Sequence, residues 1–211
     1  MIEDAELENR RKEKILRLPA VWEESAFEKT LITKFPKRIQ QDILKLSLPD
    51  IDIDEIESTY LYGGIGTGKT ITAVQIMLNY LKYLYINQYD KDIQKKTAGF
   101  ISVPELLLLF KAVYSKVDNV FSETELIKMY SDMDFLVLDD FGVDKTTDWS
   151  FQLLYIIINR RYENMKITIF TSNLKLSELA DKFGDDRLTS RIQQMCKIKK
   201  SGTKNYREDN L

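Results

Sequence analysis

Histidine is absent from the 211 residues, and cysteine occurs once, as Cys196. Without imidazole there is no Ser-His-Asp or Cys-His nucleophilic machinery, so proton transfer falls to carboxylates or lysine. A lone cysteine forms no internal disulfide, and with no histidine beside it there is no zinc cluster of the common kinds. Any metal is therefore a hard cation held by oxygen atoms. Long apolar runs are missing too: none approaches the roughly 18 residues that a membrane-spanning helix needs. The opening Met1-Ile2-Glu3-Asp4-Ala5-Glu6 is acidic where a secretory leader is basic and then apolar, so the expected compartment is the cytoplasm. Nor is there an excess of one charge. Lys and Arg number 31 against 33 Asp and Glu, a formal net charge of -2, and any grip on nucleic acid would need a local basic patch.

What is present is the composition of a folded, water-soluble protein, 44% hydrophobic and 30% charged. The length suits one domain with a small N-terminal appendage. Residues 1–57 form the expected extension. Met1 to about Leu18 is dense in Glu, Lys and Arg, with Leu7, Ile15, Leu16 and Leu18 as its apolar positions, and reads as a charged, partly amphipathic helix that is either solvated or partner-binding. Phe27, Leu31, Ile32 and Phe35 recur at helical spacing before Pro36, and Pro49 with the acidic run Asp50 to Glu57 reads as a linker. From residue 58 to 211 short β-branched or aromatic runs alternate with longer helical patterns, which predicts an α/β domain with a parallel sheet covered by crossover helices. Five strands are expected, near Thr59–Tyr62, Gly99–Val103, Phe135–Leu138, Ile167–Thr171 and Met195–Ile198, with helices starting near Lys69, Pro104, Glu123, Asp148, Ser177 and Asp186.

The segment Gly63-Gly64-Ile65-Gly66-Thr67-Gly68-Lys69-Thr70 matches G-x-x-x-x-G-K-[ST] between a predicted strand and a predicted helix. Glycines let the backbone curl so that successive N–H groups face phosphate oxygens, and the helix adds the positive end of its dipole. In that reading the loop wraps the phosphates of Mg-ATP, Lys69 reaches the β and γ phosphates and the Thr70 hydroxyl holds magnesium. The competing reading is a glycine-rich turn that matches by chance; the flanking pattern argues against it. Phe135-Leu136-Val137-Leu138-Asp139-Asp140 is an apolar strand ending in two carboxylates, the Walker B arrangement, at the sheet edge where open α/β folds bind ligands. Asp139 would complete magnesium coordination through water, and Asp140 would polarise the attacking water. Another apolar strand ends in Thr171-Ser172-Asn173, so Asn173 is a candidate contact for the γ-phosphate or its attacking water, or else a turn residue. Arg187 and Arg191, four apart, share a helix face. They are either solvated and paired beside Asp185 and Asp186, or aimed at the ATP site of a neighbouring subunit.

Together the P-loop, Leu138-Asp139-Asp140-Phe141-Gly142, Thr147-Asp148-Trp149, Ile158-Asn159-Arg160-Arg161-Tyr162, Thr171-Ser172-Asn173 and Asp186-Arg187-Leu188-Thr189-Ser190-Arg191-Ile192 resemble the DnaC, DnaI and IstB branch of the AAA+ ATPases, from about Tyr60 to Arg207. The resemblance implies an ATP-dependent oligomer with a site at each subunit boundary, a five-stranded parallel sheet, and no C-terminal helical lid, since Gly202 to Arg207 looks like the family's close. It implies that Asn173 is the first sensor residue, Arg191 the arginine finger, and Arg187 a supporting or alternative one. Family members load a replicative DNA helicase onto single-stranded DNA or assist a transposase. The loader is the reading adopted; the alternatives are an IstB-like transposition helper on duplex DNA and a non-catalytic adaptor that binds ATP to hold its shape. Asp140 stands where many AAA+ members have glutamate, and its shorter side chain implies slow hydrolysis. Lys111, Tyr114, Lys145 and Trp149 are candidate DNA contacts, against the ordinary reading of packed aromatics and solvated lysines.

Overall fold

A computed structural model describes residues 15–16, 37, 39, 56–87, 89–92, 96–114, 122–143 and 147–202. Among them the strands are β1 (Ile15–Leu16), β2 (Thr59–Tyr62), β3 (Ala98–Ser102), β4 (Phe135–Asp139), β5 (Ile167–Ser172) and β6 (Lys197–Lys200). The helices are α1 (Lys69–Ile86), α2 (Val103–Tyr114), α3 (Glu123–Asp132), α4 (Asp148–Glu163), α5 (Leu176–Phe183) and α6 (Arg187–Met195). One sheet runs β1-β3-β4-β5-β2-β6. Its five strands from β3 to β6 are parallel, and helices cover both faces, as expected.

The central strand explains the layering. β4 is buried at every position, and its side chains alternate between two cores, as the period of a strand requires. Phe135 and Val137 join Ala73, Val74, Met77 and Leu81 of α1 on one face. Leu136 and Leu138 join Leu106 and Phe110 of α2, Leu126 of α3, Ile157 of α4 and Ile192 of α6 on the other. Helix starts are set by local chemistry. Ser122 with Glu125 and Thr147 with Ser150 form reciprocal caps at the heads of α3 and α4.

A buried cation ties the second core together. Arg161, fully inaccessible at the end of α4, donates to the carbonyls of Tyr130 at 2.8 Å, Met133 at 2.7 Å and Ile167 at 2.7 Å, and to Thr168 Oγ1 at 2.9 Å. Its charge is solvated by carbonyl dipoles in place of water. Burial pulls its pKa down to about 9, which leaves it a cation at neutral pH.

Two expectations need correction. The helix over Met1–Leu18 fails at Ile15–Leu16, which instead pairs antiparallel with Gly99 and Ala98. The open edge of β3 offers unpaired backbone donors and acceptors, and a β-branched residue beside a leucine satisfies them better than a weak amphipathic pattern would. The rest of that stretch, the Phe27–Phe35 pattern and residues 50–55 of the linker lie outside the described residues. The last strand also starts two residues late, because α6 continues to Met195. All four of its residues are exposed at the sheet edge, and among the described residues no helix follows it.

Candidate nucleotide-binding site

The P-loop leaves β2 at Gly63 and enters α1 at Lys69. Gly66 and Gly68 take positive φ of 78° and 83°, a region that residues with a Cβ seldom adopt, and this curls the loop over the head of α1. Lys69 is folded back into the curl: its Nζ donates to the carbonyls of Gly63 at 2.9 Å and Gly64 at 2.6 Å, leaving the residue 7% exposed. Thr67 Oγ1 donates to Gly64 O at 2.9 Å and braces the same turn. Gly64 and Ile65 stand out into solvent.

The P-loop and the Walker B strand meet through one carboxylate. Thr70 Oγ1 donates to Asp139 Oδ1 at 2.9 Å, and Thr171 Oγ1 donates to the same oxygen at 2.5 Å. Burial pushes the Asp139 carboxyl up, aided by the Asp140 charge and opposed by the bonds from Thr171 and Thr70. A cation held there would remove that penalty. The donors are hydroxyl and carboxylate oxygens, the set that suits a hard divalent cation. Among the described residues no cluster of three or more acidic, cysteine or histidine side chains competes for that role.

Asp140 is exposed and adopts φ 56°, turned away from the strand direction, with its backbone N–H donating to Thr171 Oγ1 at 3.0 Å. Gly142, closing the same motif, has φ 81°, and a Cβ there would meet Leu179 Cδ1 at 2.5 Å. The motif therefore needs glycine to pass beneath α5. Asn173 follows β5 directly and is exposed; its neighbour Ser172 accepts the Gly63 N–H at 3.2 Å, so Asn173 sits where β5 runs out beside the start of the P-loop. The structure thus brings Gly63–Thr70, Asp139, Asp140 and Asn173 to one edge of the sheet.

Arg187 and Arg191 lie on α6, which packs against α4. Arg187 pairs with Asp185 through Nη2 at 2.6 Å and Nε at 2.9 Å. Arg191 Nε donates to Asn159 Oδ1 at 2.9 Å. Of the DNA candidates, Trp149 is half-buried against the second core, as a packing residue would be, and Lys111 is exposed on α2. Lys145 and the Tyr114 side chain lie outside the described residues.

Two residues at the site have roles that the sequence motifs do not show. Thr171 orients Asp139, which only the adjacency of β4 and β5 reveals. Ser201, just past β6, donates its N–H to Tyr62 O at 2.7 Å and its hydroxyl to Thr67 O at 2.7 Å, tying the last strand to the P-loop.

Comparison with known proteins agrees with this geometry. The sequence model of the family described as IstB-like ATP binding protein matches residues 2–210. The uncharacterized protein YqaM of Bacillus subtilis (strain 168) is 28% identical, over 89% of this chain and 59% of its own length, so the chain spans under two thirds of that relative. Among solved structures, that of the DnaC helicase loader superposes with a TM-score of 0.55 at 24% identity, covering 79% of this chain and 89% of the other. DnaI gives 0.57 at 21% identity, covering 79% and 93%. At such identities the likeness speaks for the fold, an AAA+ P-loop core.

Proposed function

Because the chain belongs to the IstB-like ATP-binding protein family, we propose that it is a cytoplasmic Mg-ATP-dependent ATPase that assembles with copies of itself and delivers a replicative DNA helicase to single-stranded DNA. In this reading the curled loop and Lys69 bind the β and γ phosphates. Thr70 and Asp139 hold Mg2+, which when bound neutralises charge on the phosphates. Asp140, exposed at the strand end, orients the attacking water, and Asn173 contacts the γ-phosphate. Arg191, or Arg187, answers the site of a neighbouring copy. The observation that carries the nucleotide half is the Thr70–Asp139 hydrogen bond, which couples the phosphate loop to the acidic strand end. The loader half is supported by the linked motifs shared with the DnaC and DnaI branch.

The IstB resemblance of the motifs, together with the match to the IstB-like ATP-binding family, favours a second reading, a transposition helper that assembles on duplex DNA. Both are tested by ATP turnover across protein concentrations, with single-stranded, duplex or no DNA, for the natural protein, Lys69→Ala and Arg191→Ala. Turnover that rises with concentration and single-stranded DNA, and that both substitutions abolish, is the expected result. Stimulation by duplex alone moves the protein to the transposition reading. Turnover indifferent to concentration and to Arg191 defeats shared sites altogether.

A further inference from the structure

We infer that Asn159 and Tyr162 are positioning residues that hold the Arg191 guanidinium by one edge and one face, and so aim its two outer nitrogens at the terminal phosphate of a nucleotide bound by a second copy of this chain. The inference rests on the proposed reading in which copies share ATP sites, and it gives a physical reason to choose Arg191 over Arg187.

The contacts come from α4. Asn159 Oδ1 accepts from Arg191 Nε at 2.9 Å, and the Arg191 Cζ lies 5.0 Å from the centroid of the Tyr162 ring. Both holders are themselves fixed. Asn159 Nδ2 donates to Glu163 Oε1 at 2.8 Å, which turns the amide oxygen toward the arginine. The Tyr162 hydroxyl donates to Gln194 Oε1 at 2.7 Å, one turn along α6 from Arg191. The acceptor's chemistry matters. An amide oxygen orients a guanidinium without cancelling its charge, and an aromatic face does the same. Nη1 and Nη2 of Arg191 then have no partner among the described residues, and they form the fork that matches phosphate oxygens.

Arg187 is the opposite case. Asp185 takes its Nε and Nη2 together, and the guanidinium lies over Phe151 and Tyr155 at 5.8 and 5.4 Å. Its charge is answered within its own chain. The group offered outward is therefore Arg191.

Mixed assemblies test the inference. A Lys69→Ala copy keeps Arg191 but has a disabled phosphate loop; an Arg191→Ala copy keeps the loop but lacks the arginine. Mixing the two restores turnover that neither has alone if sites are shared; if mixing restores none, shared sites and this inference fall together. Asn159→Ala is then added to one copy at a time. Placed in the Lys69→Ala copy, which donates the arginine, it lowers the restored turnover by up to about a hundredfold, the scale of a misplaced reacting group. In the Arg191→Ala copy it changes nothing, because that copy's α6 face donates no arginine. Equal losses in both placements mean that Asn159 merely holds α4 to α6, and no loss in the donor overturns the inference outright. Tyr162→Phe, which keeps the ring face, retains the restored turnover in the donor, whereas Tyr162→Ala does not; equal behaviour of the two also counts against it.

Discussion

The Thr171 hydroxyl is fully buried beside the end of the neighbouring strand, donating to the Asp139 carboxylate and accepting the N–H of Asp140 just past it. Replacing it by valine keeps the shape and takes one bond from the buried Asp139 carboxylate and one from the Asp140 N–H. A buried polar group left unpaired costs about 1–3 kcal/mol, so Thr171→Val is expected to lose about 2 kcal/mol in urea unfolding, and Thr171→Ser to recover most of it. If serine is as costly as valine, the methyl packing and not the hydroxyl carries the effect. At this scale the sequence is an uneven guide. Gly63 to Thr70 is readable because eight consecutive residues make the whole curl. Thr171 is not, because its role depends on Thr171 reaching a carboxylate 32 positions away on the next strand. Arg161 is hidden for the same reason: within the sequence it is one basic residue of a helix, and only the fold surrounds it with carbonyls.

Elements are legible where local chemistry sets them and less so where edges decide. The strand before the P-loop and the acidic strand fall within a residue of expectation, as do the helix starts: those at Lys69, Glu123 and Asp148 coincide, and those at Val103, Leu176 and Arg187 lie one residue away. β1 and β6 are the two outermost strands, and it is there that expectation and structure part, because an edge strand is chosen by its neighbour's unpaired backbone. The opposite end of the sheet from the nucleotide site is stitched by Asp134, just ahead of β4. It accepts from Lys166 at 2.9 Å, Lys96 at 3.3 Å and the Thr97 N–H at 3.0 Å, joining the approaches to β3, β4 and β5. Partial burial opposes its ionisation, but the bond from Lys166, the Thr97 amide and the two lysine charges outweigh it and hold the carboxyl below its ordinary range. The folded pKa is thus lower than the unfolded one, so the stabilisation is complete above the unfolded value, about 4, and is lost as pH falls through the folded value. Asp134→Asn should cost up to about 1 kcal/mol at pH 7, given that Lys96 is 44% exposed and screened. The gap from the natural protein should close as pH drops below about 4. Urea unfolding of both proteins across pH measures it, and a gap that is independent of pH rules out the ion cluster as the cause.

In the proposed reading the phosphate-binding loop of one copy and the Arg191 fork on α6 of another make up each ATP site, so the reaction draws on two copies. That separation makes a quantitative statement about mixtures. Consider the natural protein mixed at random with a copy carrying both Lys69→Ala and Arg191→Ala. If each ATP site lay within one chain, a mixture of equal parts would keep about half of the turnover, since only the substituted copies are lost. If each site takes its loop from one copy and its arginine from the next, a site works only when both contributors are natural, and about a quarter survives. Lys69→Ala alone disables only the loop of its own copy and leaves its arginine to serve a neighbour, so the same mixture should keep about half. The comparison needs saturating ATP and a protein concentration at which assembly is complete, conditions that sedimentation can verify. A double-substituted mixture that tracks the Lys69→Ala mixture means that the arginine fork serves no neighbour. A residue well below a quarter means that turnover requires the entire assembly to be intact, which would make this a concerted machine and not a chain of paired sites.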